Sequence, residues 1–345
     1  MYQCSQKHET VSKPKIGVLI TNLGTPDEPE KKSLKVYLKE FLLDTRVVES
    51  PPARWLWKAT LNLIILNTRP KKSAEAYKSV WGRFGDGSPL LDILKKQRNL
   101  IRQHFDNQHK GVFQVELGMR YGNPSIGSAL QRLEKSNCSQ IIVLPLYPQY
   151  ASATTGSTFD AVADEIKIWR RVPELRFVNH YHDDRAYISA LVNSVEKFQE
   201  KQGKPDLLLI SYHGIPRRYF DNGDNYPCHC CKTSFLLSSK LKLGPNDYKM
   251  SFQSLFGKEE WIKDYTDETL KSLPEKGIKN VQVICPGFSA DCLETIEEID
   301  KENRDYFLSS GGETYHYIPA LNDDKLHIDC LCGIIEKKTK DWIEV

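Results

Sequence analysis

Short, wholly apolar runs alternate along this chain with longer segments whose apolar residues recur at helical spacing, and that alternation leaves few folds open. A strand that is apolar throughout needs cover on both faces, which parallel strands joined by crossover helices provide. Strands are expected at Ile16–Asn22, Phe113–Gly118, Gln140–Leu146, Arg176–Asn179, Asp206–Ser211, Tyr248–Gln253 and Val281–Cys285. Helices are expected near Lys31–Leu42, Ala53–Leu66, Leu90–Phe105, Pro124–Lys135, Thr158–Arg170, Arg185–Lys201, Thr266–Leu273, Asp291–Phe307 and Asp323–Lys338. The fold class is therefore α/β with parallel sheets.

The pattern also repeats at long range. Gly17-Val-Leu-Ile-Thr-Asn-Leu-Gly-Thr-Pro26 matches Leu207-Leu-Leu-Ile-Ser-Tyr-His-Gly-Ile-Pro216, and Ile141-Ile-Val-Leu-Pro145 matches Gln282-Val-Ile-Cys-Pro286. At about 150 residues per domain, a chain of 345 residues has room for two. The expectation is two similar Rossmann-like units, 15–150 and 151–320, after a polar tail over 1–14, with a cleft where their strand ends meet.

Charge narrows the class of partner. Lys and Arg number 48 against 45 Asp and Glu, a net charge of +3, so no cationic field is available for a phosphate backbone and no nucleic-acid partner is expected. The first fifteen residues are polar, without the apolar core of an export signal, so the nine cysteines are read as cytoplasmic thiols or ligands. No apolar run reaches the roughly 18 residues of a membrane span. The stretch Pro52-Ala-Arg-Trp-Leu-Trp-Lys-Ala-Thr-Leu-Asn-Leu-Ile-Ile-Leu66 suits a membrane surface or the mouth of an apolar pocket, and equally a core helix or a subunit interface.

Few residues are placed to do chemistry. His213 follows an apolar strand in Ile210-Ser-Tyr-His-Gly-Ile-Pro216, where a neutral imidazole can accept a proton or bind a divalent metal, although a hydrogen-bonded structural histidine fits as well. Asp291, Glu294, Glu298 and Glu302 recur at three- and four-residue spacing after the strand ending at Cys285, which puts four carboxylates on one helix face. Such crowding raises carboxyl pKa values unless a cation or proton relay meets it, and a solvated acidic face is the plain alternative. Met119-Arg-Tyr-Gly-Asn-Pro124 and Leu146–Ser157 supply aromatic and small residues suited to a large flat apolar ligand, with Arg120 a candidate carboxylate partner. Tyr226-Pro-Cys-His-Cys-Cys-Lys232 has the look of a metal knuckle but lacks the spacing of zinc or iron–sulfur ligands, so Cys228, Cys230 and Cys231 are expected to be exposed reduced thiols.

Taken together, Asn22-Leu-Gly-Thr-Pro26, Gly118-Met-Arg-Tyr-Gly122, Leu146-Tyr-Pro-Gln-Tyr150 with Thr154-Thr-Gly-Ser157, Ser211-Tyr-His-Gly-Ile-Pro216, Ser251-Phe-Gln-Ser254 and Asp291-Cys-Leu-Glu-Thr295 resemble the ferrochelatases, which insert ferrous iron into a porphyrin. The resemblance runs from about Ile16 to Leu321. It implies two Rossmann-like domains around a porphyrin cleft, with the segment 321–345 returning to the first. It places the catalytic pair on His213 and Glu294, the metal-handling set on His213, Glu294 and Glu298, and porphyrin-cleft positions on Arg120, Tyr121 and Trp261. Tyr147 and Thr155 join the expected substrate-binding set from the Leu146–Ser157 lining.

A histidine that some members carry two residues before the glutamate is Cys292 here. Ser152 stands where some relatives have a cluster-ligating cysteine, so no [2Fe-2S] cluster and no other required cofactor is expected, with Fe²⁺ as substrate. The loop Cys228–Cys231 and the Trp261 region resemble protoporphyrin enzymes of Gram-negative bacteria, so the expected partners are protoporphyrin and, peripherally, a membrane at Ala53–Leu66. Two rivals are a cobalt or sirohaem-precursor chelatase and a non-catalytic haem- or solute-binding protein. The oligomeric state is not written in these motifs.

Overall fold

The computed structural model describes residues 15–49, 54–255, 257 and 259–343. Eight strands lie among them: β1 (Lys15–Thr25), β2 (Phe113–Gly122), β3 (Cys138–Pro145), β4 (Glu174–Phe177), β5 (Leu207–His213), β6 (Tyr248–Gln253), β7 (Asn280–Ile284) and β8 (Thr314–Ile318). They form two four-stranded sheets, ordered β2-β1-β3-β4 and β6-β5-β7-β8, with every pairing parallel. The two sheets are wound alike. The segments that echo each other in sequence occupy matching places, β1 with β5 and β3 with β7.

The central strands are buried on both faces, as an all-apolar strand requires. Val18 lies opposite Val115 and Ile142, and all three are at most 2% exposed. One apolar cluster joins Val18, Ile20 and Ile142 of the first sheet to Leu208, Ile210 and Ile284 of the second, so the two units share a core.

The expected boundary at 150/151 moves. β4 pairs with β3, so the first sheet continues to Phe177 and the crossing to the second sheet lies between Phe177 and Leu207. The turn at Tyr147-Pro148 is a strand exit, not a linker. β8 escapes an apolar-run reading because Thr314-Tyr-His-Tyr-Ile318 alternates: Tyr315 and Tyr317 are buried in the second unit's own cluster. The C-terminal helix Lys325–Ile343 packs on the helix Pro89–Gln108, with Ile328, Leu331 and Ile335 in the core shared with Leu94 and Ile101. Its end is tied to β4 by the Trp342 indole donating to Glu174 at 2.8 Å and by Arg176 lying 4.0 Å over the Trp342 ring.

Three helical segments differ from expectation. Ala53 lies outside the described residues, and the helix that follows runs as Arg54–Thr60, a π-helical turn Leu61–Ile65, and Leu66–Val80, passing through Pro70. A proline without an N–H and a π turn both leave carbonyls unpaired. Side-chain donors add bonds to carbonyls along this stretch: Asn67 donates to Leu63 O at 3.0 Å, Asn62 to Lys58 O at 2.7 Å and Thr68 to Ile64 O at 2.9 Å. Residues Tyr226–Lys240, which contain the cysteine-rich run, form a helix. Cys228 and Cys231 are exposed as expected, but Cys230 is fully buried, because one side of that helix faces the core. The expected helix Asp291–Phe307 begins only at Glu294, as a π segment Glu294–Glu302 leading into Asn303–Ser309.

Candidate active site

The carboxyl ends of both sheets open into one cleft of about 1430 Å³. Leu23–Thr25 of β1, Leu146, Tyr147, Gln149 and Ala151 after β3, His213–Pro216 at the end of β5, Gln253–Leu255 after β6 and Gly287–Ala290 with Cys292 and Leu293 after β7 line it, together with Trp57, Arg69, Lys72 and Tyr77 from the helical run Arg54–Val80. Ligands of open parallel sheets sit at such strand ends.

His213 is the last residue of β5 and faces the cleft. Its Nδ1 lies 2.7 Å from Gly214 O, an acceptor, which places a proton on Nδ1 and leaves Nε2 as the ring position for proton or metal exchange. Gly214 is there for space, since a Cβ would stand 3.0 Å from Gln253 O and 3.1 Å from the Trp261 ring. That ring is 6.5 Å from the His213 ring and is held in place by backbone bonds from Ile262 to Ile215 and from Arg217 to Glu260. Trp261 Nε1 and the Tyr147 hydroxyl are both buried without a protein partner.

Glu294, Glu298 and Glu302 line the same cleft from the π segment. Glu298 accepts from Ser254 N–H at 2.7 Å and from the Ser254 hydroxyl at 2.5 Å. Burial pushes its carboxyl above the usual carboxylate range, against the pull of the two Ser254 donors and of His213, and the like charge of Glu294 pushes the same way as burial. Burial, and secondarily the Glu294 charge, also raises the Cys292 thiol well above its ordinary value, so Cys292 offers the cleft a neutral thiol. Tyr77 and Tyr147 are raised by burial too, with Glu294 contributing, and remain protonated donors.

Four expected placements are corrected. Asp291 precedes the π segment and turns away from the cleft, where it accepts from Thr295 at 2.9 Å, Tyr317 at 2.7 Å and Asn322 at 2.7 Å. Arg120 is absent from the cleft lining: its guanidinium pairs with Asp44 and donates to Ser157 O at 3.0 Å. Tyr121 is buried beside it, its hydroxyl donating to the same Asp44 at 2.8 Å. Although burial raises the Asp44 carboxyl, the Ser157 and Arg46 donors and the Arg120 charge outweigh it and hold the group below its usual value. These residues form a closed charge-and-hydroxyl network that braces the end of β2. Thr155 is buried in the π turn Ser152–Gly156, and its neighbours Ala153 and Thr154 reach the cleft instead. His213, Glu294, Glu298, Tyr147 and Trp261 do share the cleft.

The cations at its rim, Arg69 and Lys72, were not signalled by the sequence, because Pro70 breaks the helical pattern on which they stand.

Known proteins place this arrangement. The family model described as Ferrochelatase matches residues 15–339. A ferrochelatase from Hydrogenovibrio crunogenus is 63% identical over 333 residues, covering 96% of this chain and 88% of that protein. One from Pseudoalteromonas atlantica is 53% identical over 328 residues, covering 95% and 90%. Among solved structures, the sirohydrochlorin chelatase SirB from Bacillus subtilis subspecies spizizenii, in complex with cobalt, superposes with a TM-score of 0.54 at 8% identity, covering 95% of this chain and 96% of that one, a likeness of fold. On a cleft built at matched strand ends, and on identity sustained across nearly the whole chain, the protein belongs to the ferrochelatase family of metal chelatases.

Proposed function

We propose that the cleft takes protoporphyrin IX and Fe²⁺ and returns protohaem and two protons, the terminal step of haem biosynthesis. The observation that carries this reading is the imidazole of His213, its Nδ1 committed to Gly214 O, sharing one large cleft with Glu294 and Glu298. Metal insertion removes two pyrrole protons and strips water from the iron, while a flat macrocycle keeps its nitrogen lone pairs in the ring plane. A rigid cleft that holds a bent ring better than a flat one lowers the barrier by differential binding. His213 accepts a pyrrole proton. Glu294 and Glu298 carry iron or protons along the π segment. Arg69 and Lys72 at the rim suit the two propionates, a role first assigned to Arg120, whose charge Asp44 already meets.

The residues present do not fit a [2Fe-2S] cluster. The Ser152 hydroxyl accepts from Arg46 at 3.2 Å, Cys330 and Cys332 lie in the core with thiols pushed up to about 12 by burial, and among the described residues no three cysteines bring their sulfurs together.

No described helix is long and apolar enough to cross a membrane. The reading adopted is a cytoplasmic protein that touches a membrane through Trp55, Leu56, Leu63 and Ile64, of which Trp55 is 72% and Leu63 74% exposed. Trp57 on the same helical run lines the cleft, so that run joins the cleft mouth to the exposed apolar edge.

Anaerobic incubation with Fe²⁺ and either protoporphyrin IX or coproporphyrin, followed through the Soret and visible bands, tests the proposal. Conversion of protoporphyrin is expected. A preference for coproporphyrin, or porphyrin binding without metallation, would overturn it. Stoichiometric labile sulfide in anaerobically prepared protein would overturn the cluster-free reading.

A further inference from the structure

Next to the segment Tyr147–Ala151 and outside the cleft lining, three histidines from two distant segments meet. His180 and His182 follow β4, and His229 stands in the first turn of the helix Tyr226–Lys240. One nitrogen from each ring lies within 4.8 Å of the other two. The His182 and His229 rings stack at 3.7 Å between centroids, and the His180 ring lies 4.8 and 4.9 Å from them. His182 and His229 are buried and His180 is exposed, so the cluster has a dry floor and an open side.

We propose that His180, His182 and His229 form a second metal site, separate from the substrate iron, for a borderline divalent transition ion of the Zn²⁺ or Co²⁺ class. Imidazole nitrogens select such ions over Mg²⁺ or Ca²⁺, and three protein ligands with one open position make a familiar tetrahedral set. The two buried rings are pushed toward their neutral forms, which carry a lone pair for a metal. Burial, then the neighbouring His229, lowers His182 to about 4, and burial followed by His180 lowers His229. The Asp183 carboxylate, 4.0 Å from His182 Nδ1, favours a cation and the nearby Lys232 opposes one.

An ion at about 2.0–2.1 Å from each nitrogen would hold the three roughly 3.4 Å apart, so a pair as far apart as the 4.8 Å limit closes by about 1.4 Å and the stack tilts open. Two hydrogen bonds are exchanged for coordination. One is the contact between His182 Nδ1 and His180 Nδ1 at 3.2 Å, and the other is Tyr150 N–H donating to His229 Nδ1 at 3.1 Å. The second exchange gives the site its consequence, because Tyr150 belongs to the segment that walls the cleft, and Gln149 beside it lines the cleft while donating to Thr233 at 3.0 Å. Thr233 in turn donates to His182 O at 2.8 Å. The ion therefore clips the segment after β4 to the helix Tyr226–Lys240 and bears on the cleft wall between them.

Calorimetric titration of the full chain with Zn²⁺ tests the assignment, using His180→Ala, His229→Gln and His213→Ala. His180 is exposed, so its variant keeps the fold, and a glutamine at 229 can still accept from Tyr150 N–H. The expected result is one Zn²⁺ equivalent retained in His213→Ala and weakened at least tenfold in His180→Ala and His229→Gln, with a Zn²⁺-dependent rise in Tm lost in the same two. Titrations of His180→Ala indistinguishable from the parent, or loss of every equivalent in His213→Ala, would overturn it.

Discussion

Ser254 holds both oxygens of Glu298, its N–H meeting Oε1 at 2.7 Å and its hydroxyl meeting Oε2 at 2.5 Å. Ser254 reaches this position through a left-handed backbone, φ 67°, directly after β6. The two Ser254 donors oppose the upward push of burial on this carboxyl, and burial outweighs them.

The raised Glu298 carboxyl fixes a sign for stability. The folded state binds this proton more tightly than the unfolded chain, so the group's contribution is present below its ordinary value of 4.5 and is lost as pH rises through the raised one. Glu298→Gln removes that loss. Thermal melts should show the variant gaining Tm over the parent as pH goes from about 4.5 to neutral; a difference that does not change with pH would refute the burial account.

His213→Ala removes the imidazole from the cleft, and iron insertion should fall by at least ~10²-fold, the low end for loss of a general base. Porphyrin binding, read by fluorescence quenching, should survive because apolar walls hold the macrocycle. Near-parental turnover, or failure to bind porphyrin at all, would show the assigned role to be wrong.

Glu294→Gln should slow turnover more than Glu298→Gln. Ser254 already occupies both oxygens of Glu298, whereas the charge of Glu294 is felt by Tyr37, Tyr77, Tyr147 and Cys292. Steady-state rates over a range of Fe²⁺ concentration decide it, and the reverse order would move the iron or proton route toward Ser254.

Membrane contact separates two tryptophans that look alike in sequence. Trp55 is 72% exposed, but the Trp57 indole donates to Leu42 O at 2.8 Å and lines the cleft. Trp55→Ser with Leu63→Ser should weaken liposome co-sedimentation by at least about tenfold per anchor, since a fully buried large apolar side chain is worth about 1.5–3 kcal/mol. Trp57→Ser should instead lower Tm. Unchanged co-sedimentation of the double variant would leave the exposed edge to another partner.

How far the sequence speaks depends on how local each cause is. A strand buried on both faces reads as an apolar run, so β1, β3, β5 and β7 and the place of His213 are legible from a few consecutive residues. Spacing misled at Asp291, because three- and four-residue recurrence presumes α-helical bonds while Glu294–Glu302 is π-helical and starts three residues later. Arg120 misled for a different reason: its partner, Asp44, lies 76 residues away, and no local pattern announces that the charge is already met. Among the cysteines of Tyr226–Lys232 the residue brought beside other ligands is His229, whose companions stand near position 180.

The matched winding of the two sheets has one more implication. In the echo, Leu23 of β1 corresponds to His213 of β5, each followed by a glycine, Gly24 and Gly214, and both lining the cleft. At corresponding strand positions the scaffold therefore presents a leucine from one half and an imidazole from the other. Whatever sits between them meets an aliphatic cushion from one half and a proton acceptor from the other.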